Sequence, residues 1–251
     1  MNKFLKLNGG NFLKFLVDTH CHSIATGHAY STIQELAEQA SKKKLEMIAI
    51  TDHGVAMADA PHLWHFGNLK VIPREIYGVK ILRGVEANII DMDGNIDMTE
   101  EYLRRLDWVI ASFHDVCVEP GTSEQHTHAW INVIQNPYVD AIGHSGNPVF
   151  SYDFDEVLRA AKEFDKLVEI NNHSFYVRTG SEVNCKIIAQ KCKELGVKVV
   201  VGSDAHISFN VGEFDKVYQL MEEIRMPEEL IMNTSAEKLL NYLKKRKKIN
   251  I

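Results

Sequence analysis

The stretch Val17-Asp18-Thr19-His20-Cys21-His22-Ser23 is apolar at its start and ends in two histidines at i and i+2. In a strand those two side chains share a face, with Cys21 on the other. Two imidazoles on one side of a strand end make half of a metal site. The rest of the chain repeats the pattern. Met47 to Thr51 is an apolar run closing on Asp52-His53-Gly54. Lys80 to Ile89 is a third strand, with Glu86 inside it. A lone carboxylate in a buried run is costly unless it is paired or bound to metal. Trp108 to His114 and Asp140 to Gly146 are the fourth and fifth strands, and each carries a histidine near its end, His114 and His144. Leu167 to Asn172 is the sixth. Lys198 to Gly202 is the seventh, and Asp204-Ala205-His206 follows it as another i, i+2 pair.

Helices fall between these strands. Ser31 or Thr32 caps one that runs to about Lys44, with Glu35 placed for a capping box. Others span Glu100 to Leu106, Thr127 to Gln135, 153–164 and Ser181 to Leu195, the last closing at Gly196. Residues 55–78 are irregular and could line a pocket or pack as a surface loop. Two helices finish the chain, the last from Ser235 to about Lys248. Its Lys244, Lys245, Arg246, Lys247 and Lys248 read as a solvated helix end that suits the helix dipole. Apolar strands alternating with helices predict a parallel sheet. Closed on itself with seven strands, it is an α/β fold, a distorted (βα)7 TIM-like barrel with the active site at the C-terminal ends of the strands.

The composition is that of a globular chain: 251 residues, 45% hydrophobic and 25% charged, enough for a sizeable core. The expected organisation is an N-terminal extension over 1–14 and one barrel domain over 15–251. The net charge of -6 argues against a broad nucleic-acid-binding surface. Cys21, Cys117, Cys185 and Cys192 form no CxxC pair, so a reduced cytoplasmic setting is expected. Nothing resembles a signal peptide or a membrane span.

In such a barrel His20, His22, His28, His53, Glu86, His114, His144, Asp204 and His206 converge on one mouth. Seven histidines and two carboxylates over-supply a single ion, and two or three divalent ions fit better. His62, His65, His126, His128 and His173 lie elsewhere and are not expected to bind metal.

The motifs Asp18-Thr19-His20-Cys21-His22-Ser23, Thr51-Asp52-His53-Gly54, Gly84-Val85-Glu86-Ala87-Asn88, Phe113-His114, Gly143-His144-Ser145-Gly146-Asn147 and Gly202-Ser203-Asp204-Ala205-His206 resemble the PHP (polymerase and histidinol phosphatase) superfamily. His28-Ala29-Tyr30-Ser31-Thr32, Asp59-Ala60-Pro61-His62, Trp64-His65-Phe66 and Glu169-Ile170-Asn171-Asn172 are similar to its YcdX-like phosphatase branch. The resemblance runs from residue 16 to the end. It implies a trinuclear site of three divalent ions, usually Zn2+, with Mn2+ or Fe2+ in relatives. Carried over, His20, His22, Glu86 and Asp204 hold one ion. Glu86, His114 and His144 hold the second, with Glu86 bridging. His28, His53 and His206 hold the third. Ser145 departs from the family pattern, where proline is expected after the histidine, and this puts the loop's shape in question.

Two carboxylates against three divalent ions leave the centre at about +4, which favours a phosphate dianion, and bound water falls from a pKa of about 15.7 to about 7. The expected reaction is attack of metal-bridging hydroxide on a small-molecule phosphomonoester. Glu86, Asp204 and His206 are the expected catalytic residues, and Arg178, His62 and His65 the expected substrate-binding residues. Three other readings stay open. One is a phosphodiesterase or exonuclease on short nucleotides, and another an amidohydrolase-type deaminase. The third is a non-catalytic metal-dependent binding module. The expected partner is a small phosphorylated substrate, with no stable nucleic-acid partner and no membrane; the sequence does not fix an oligomeric state.

Overall fold

The computed structural model describes residues 5–6 and 12–247. Among the described residues, seven parallel strands form the barrel: β1 (Val17–Cys21), β2 (Met47–Ile50), β3 (Val79–Asn88), β4 (Trp108–Ser112), β5 (Ala141–Ile142), β6 (Leu167–Asn171) and β7 (Val199–Gly202). Each pairs in parallel with the next in chain order. The two ends of the sheet then meet. Cys21 bridges in parallel to Ala205, His22 N donates to Ala205 O at 2.8 Å, and Asp204 N donates to His20 O at 3.0 Å. The result is the nearly closed seven-stranded barrel that the alternating pattern predicts.

Crossover helices cover the outside: α1 (Ile33–Lys42), α2 (Glu100–Leu103), α3 (Ser123–Gln135), α4 (Phe154–Glu163) and α5 (Ser181–Leu195), followed by α6 (Asp215–Glu223) and α7 (Ala236–Lys247). α1 starts where expected, with Thr32 and Glu35 forming a reciprocal capping box. α3 starts four residues before the expected Thr127. Thr122 and Gln125 make a second capping box there, which fixes the start. β5 is shorter than expected, because its ladder ends at Ile142. Between β2 and β3 the irregular stretch holds a short helix, Trp64–Asn68, and a two-residue strand, Glu75–Ile76, antiparallel to β3.

The expectation that the basic end of α7 is solvated needs correction. Arg246 donates to Phe164 O and Asp165 O at 3.2 and 2.7 Å, and Lys247 pairs with buried Asp140. Their positive charges meet the carbonyls that end α4 and the carboxylate just ahead of β5, while Lys244 and Lys245 remain exposed. Of the expected extension, Leu5–Lys6 pairs antiparallel with Phe12–Leu13, and residues 1–4 and 7–11 lie outside the described residues.

Strand alternation makes two cores. Ile48, Val85, Val109, Val168 and Val201 face the helices. Val17, Met47, Leu82, Trp108, Ala141, Leu167 and Val200 fill the barrel, with Leu239 and Leu243 of α7 packed below them. Emptying the Trp108 position to alanine would cost about 3–5 kcal/mol. β1 breaks the alternation. Val17 and His20 both face inward though three residues apart, and the register against β2 shifts between Asp18 and Cys21 to allow it. The lower seam between β1 and β7 is held by buried Asn233. Its amide donates to Val17 O at 2.8 Å and Val201 O at 3.0 Å, and its side-chain oxygen accepts from Val201 N at 3.2 Å. Among the described residues, no helix is long and apolar enough to cross a membrane.

Candidate metal centre

Glu86 occupies the middle of the barrel mouth. Leu82, Gly84 and Glu86 share one face of β3, so the carboxylate stands above the apolar filling and is fully buried. Its Oε2 lies 3.2 Å from His20 Nε2, 3.5 Å from His22 Nε2 and 2.9 Å from His53 Nδ1. Its Oε1 lies 2.8 Å from His144 Nε2 and 3.6 Å from His114 Nε2. Asp204 Oδ1 lies 3.3 Å from His22 Nε2 and 3.6 Å from both His20 Nε2 and His206 Nδ1. His28 joins through His206, their Nε2 atoms 3.0 Å apart. All nine residues singled out by the sequence therefore meet at one end of the barrel. His144 (φ +25°) and Asp204 (φ +55°) take left-handed backbone just past their strands, which aims them back into the mouth at a conformational cost. Ser145 sits in a buried turn and leaves His144 in contact with Glu86.

The protonation pattern tests whether these residues suit cations. His28 Nδ1 faces Asp59 Oδ2 at 2.7 Å, and His206 Nδ1 faces the carbonyl of Asp204 at 3.1 Å. Both acceptors take the proton of Nδ1, so in the neutral rings both Nε2 atoms present lone pairs to each other. His20 and His114 are fixed the same way, by Glu169 Oε1 at 2.7 Å and Asn88 Oδ1 at 2.8 Å. The Asn88 amide is oriented by donating to Gly54 O and Asp97, so its oxygen is the free acceptor. His53 Nδ1 and Glu86 Oε2, though close, are off the hydrogen-bonding angle, and both atoms are buried without a hydrogen-bond partner. Lone pairs packed at such distances repel unless a cation lies among them. The donor set of neutral imidazole and carboxylate suits zinc, manganese or iron. Among the described residues, four triads put three ligand atoms within 4.8 Å of one another: His20, His22 and Asp204; His53, Glu86 and His114; His22, His53 and His206; and His173, Asp204 and His206.

Electrostatics agree. Burial alone would raise Glu86 and Asp204, but the surrounding histidines, and for Asp204 also Arg178, hold both well below the usual carboxylate range. Burial, helped by neighbouring cationic groups, holds His22 and His114 well below ordinary histidine, and His144 and His206 below it. His20 goes the other way. Burial opposes its charge, yet Glu169, Glu86 and Asp204 together lift it well above. In that field a proton and a divalent ion compete for the same nitrogen of His20.

Several supporting groups were not picked out as site residues in the sequence. Glu169, fully enclosed on β6, orients His20 and accepts from His144 N at 2.8 Å and Asn171 Nδ2 at 3.2 Å. Gly202 makes room for it, since a Cβ there would lie 2.2 Å from Glu169 Oε1 and 2.6 Å from His20 Cβ. Asp52 collects Ser23 N, Ser23 Oγ and Thr26 Oγ1 at 2.7, 2.8 and 3.0 Å. His173, set apart from the ligands by sequence, stands at the mouth with Nδ1 3.9 Å from Asp204 Oδ2. Of the expected substrate-binding residues, Arg178 is in place, its Nη1 3.4 Å from Asp204 Oδ2. His65 is held by Asp52 Oδ2 at 3.0 Å, and exposed His62 accepts from Trp64 N at 3.2 Å. Buried His126 is structural: it accepts from Gly121 N and donates to Ser151 O, both at 2.8 Å.

A parallel barrel with imidazoles and carboxylates gathered at its strand ends is the architecture of a metal-dependent hydrolase. The sequence pattern of the PHP domain matches residues 18–173, and the chain belongs to the PHP family. A probable phosphatase of Acetivibrio thermocellus is 64% identical over 235 residues, covering 94% of this chain and 98% of its own. A probable phosphatase of Caldanaerobacter subterraneus subsp. tengcongensis is 56% identical over 244 residues, covering 96% of each. Among solved structures, the histidinol phosphate phosphatase of Lactococcus lactis subsp. lactis, complexed with zinc, L-histidinol and phosphate, matches with a TM-score of 0.58. It is 18% identical and covers 85% of this chain and 95% of its own, so it speaks for the fold. With its relatives, the chain falls in the phosphatase class, the hydrolases of phosphoester bonds.

Proposed function

We propose that this phosphatase hydrolyses a small-molecule phosphomonoester at a centre of three divalent ions, zinc foremost, with manganese or iron as alternatives. The observation that carries the reading is the approach of His28 Nε2 to His206 Nε2 at 3.0 Å, with the Nδ1 of each ring facing an oxygen acceptor, set beside a Glu86 carboxylate that faces five histidines. His20, His22, Glu86 and Asp204 would hold the first ion, Glu86, His114 and His144 the second, and His28, His53 and His206 the third. Bound there, such ions supply positive charge for a phosphate dianion and a water acidic enough to act as nucleophile near neutral pH.

The chain's own groups do the rest. Glu86 keeps its charge and ties the two sides of the mouth together. Glu169, Asp59 and Asn88 hold the proton on Nδ1 of His20, His28 and His114, so that each Nε2 stays a ligand. Arg178, half-buried at the rim, meets the phosphate oxygens and offsets charge that builds up on them. The cytoplasm is the proposed location, because all four cysteines are free thiols.

The test is elemental analysis of protein purified without chelator, together with turnover of an aryl phosphate and an aryl phosphodiester. The expected result is about three metal equivalents per chain with monoester turnover. Diester turnover alone would move the reading to a phosphodiesterase. Protein that cannot be loaded with metal would overturn it.

A further inference from the structure

Large apolar side chains left exposed gather on the loops that carry the metal ligands. Trp64 is 75% exposed, Tyr30 73% and Phe209 71%, with Ile24, Val116 and Tyr176 also exposed on rim loops. Scattered single cases would need no explanation, but a collar around one mouth does. The loops are tied to one another and to the centre. Tyr30 N donates to His206 O at 2.8 Å, and Ser208 N donates to Ser31 Oγ at 2.9 Å, which sets Tyr30 and Phe209 on neighbouring loops. Gly27 N donates to Asp59 O at 3.0 Å, joining the loop of His28 to the segment that carries Trp64. Next to Trp64, His65 is anchored to Asp52, and the Trp64 ring meets the His62 ring edge-on with centroids 5.4 Å apart.

The charges of the same loops are equally one-sided. Along residues 22–32, 52–68, 113–122, 143–152, 172–180 and 203–212, Arg178 is the single lysine or arginine; past Trp64, Lys70 and Arg74 follow, and Arg74 pairs with Asp107. A polyphosphate or a nucleic-acid strand would need more cations along its path. One cation beside an ion-binding centre suits one phosphate group on an uncharged body.

We propose that the rim, with Trp64 as its principal face and Tyr30 and Phe209 on the loops beside it, is a subsite for the organic group of the ester, which makes the substrate class phosphomonoesters of flat aromatic or otherwise apolar alcohols. The proposal rests on the phosphatase reading and narrows it. A ring stacked on Trp64 removes apolar surface from water on both partners, whereas a sugar or glycerol body gains little there.

The test uses inhibitors that undergo no reaction, so that leaving-group chemistry does not enter. Benzylphosphonate, methylphosphonate and inorganic phosphate compete with an aryl phosphate on the metal-loaded enzyme. Benzylphosphonate should bind about tenfold or more tighter than methylphosphonate. Trp64→Ala should remove most of that preference and leave inhibition by inorganic phosphate as it was, while Trp64→Phe should keep it. Equal inhibition by the two phosphonates would overturn the proposal. So would a Trp64→Ala variant that weakens all three inhibitors alike, or one that keeps the preference but splits an oligomer in light scattering, since the rim would then bury a second copy. If no monoester is turned over, the phosphatase reading fails by itself. The phosphonate preference, read by calorimetry, still decides the subsite.

Discussion

Replacing Glu169 by glutamine removes one charge and keeps the number of heavy atoms, yet every partner of this carboxylate is a donor. Oε1 takes His20 Nδ1–H, and Oε2 takes His144 N–H and the Asn171 amide. The new amide must point its NH2 at one side or the other. Turned toward His144, it leaves that buried N–H without an acceptor, which costs about 1–3 kcal/mol. Turned toward His20, it drives the ring proton from Nδ1 to Nε2, the atom that faces Glu86 and Asp204. Either outcome weakens the centre through His20, and losing the orienting partner of a ligating histidine costs about 10–100-fold in metal affinity or activity. The assay is metal content of the purified variant, metal affinity against a competing chelator, and kcat/KM on an aryl phosphate. Native metal affinity and native activity in Glu169→Gln would refute the claim that Glu169 positions His20.

Glu86→Gln should lower metal content and turnover together, by about 10–100-fold in turnover, because one oxygen of Glu86 faces His20, His22 and His53 and the other His114 and His144; loss of one without the other would mean that Glu86 does not serve metal and turnover together. Gly202→Ala drives a methyl into Glu169 and His20, and thermal unfolding should reveal a loss of about 1–3 kcal/mol with reduced metal retention. The metal-free protein should lose stability as pH falls below about 6.5, measured as a falling urea midpoint between about pH 7.5 and pH 5. Over that range the unfolded chain protonates His22, His114, His144 and His206 around the ordinary histidine value of 6.5, while burial keeps the native groups neutral. Glu86 and Asp204 add to the loss only further down, as pH falls through their depressed values. His20 has the opposite sign: its contribution is complete below 6.5 and fades as pH rises through its raised value, so a midpoint that rose on acidification would mean His20 outweighs the other four.

The strands and the ligand set were legible because both are periodic. An apolar run ending in histidine recurs along the chain, and barrel geometry turns each such ending into a position on one rim. What stayed hidden depends on contacts between segments far apart. Glu169 carries the same local signal as Glu86, a carboxylate inside an apolar strand, but its partner lies 149 residues away. The irregularity that lets Val17 and His20 face the same way leaves no trace in composition, since it arises from pairing with β2. His173 follows its strand by two residues, and only the turn of the chain there brings it to Asp204. The early start of α3 could have been found, because Thr122 and Gln125 have the spacing of a capping box. The buried ends of Arg246 and Lys247 could not, since the carbonyls and the aspartate they meet come from other loops.

The amide of Asn233 bears on the order in which this molecule can come into being. The first and last strands of the barrel are joined at their lower ends through a residue that follows both, and Leu16 N and Val17 N also bond to its backbone carbonyl at 3.0 and 3.3 Å. A chain emerging from the ribosome can pair β1 through β6 as they appear, but that lower seam stays open until the segment past Asn233 is out. His20 and Asp204 are brought together only across the junction of those same two strands. Assembly of the His20–Asp204 side of the mouth therefore belongs to the end of synthesis or after it, whereas Glu86, His114 and His144 lie on strands that can pair earlier. A chain stopped before Asn233 would hold its histidines on an incomplete sheet, and the long-range closure should make barrel completion the slow step of folding.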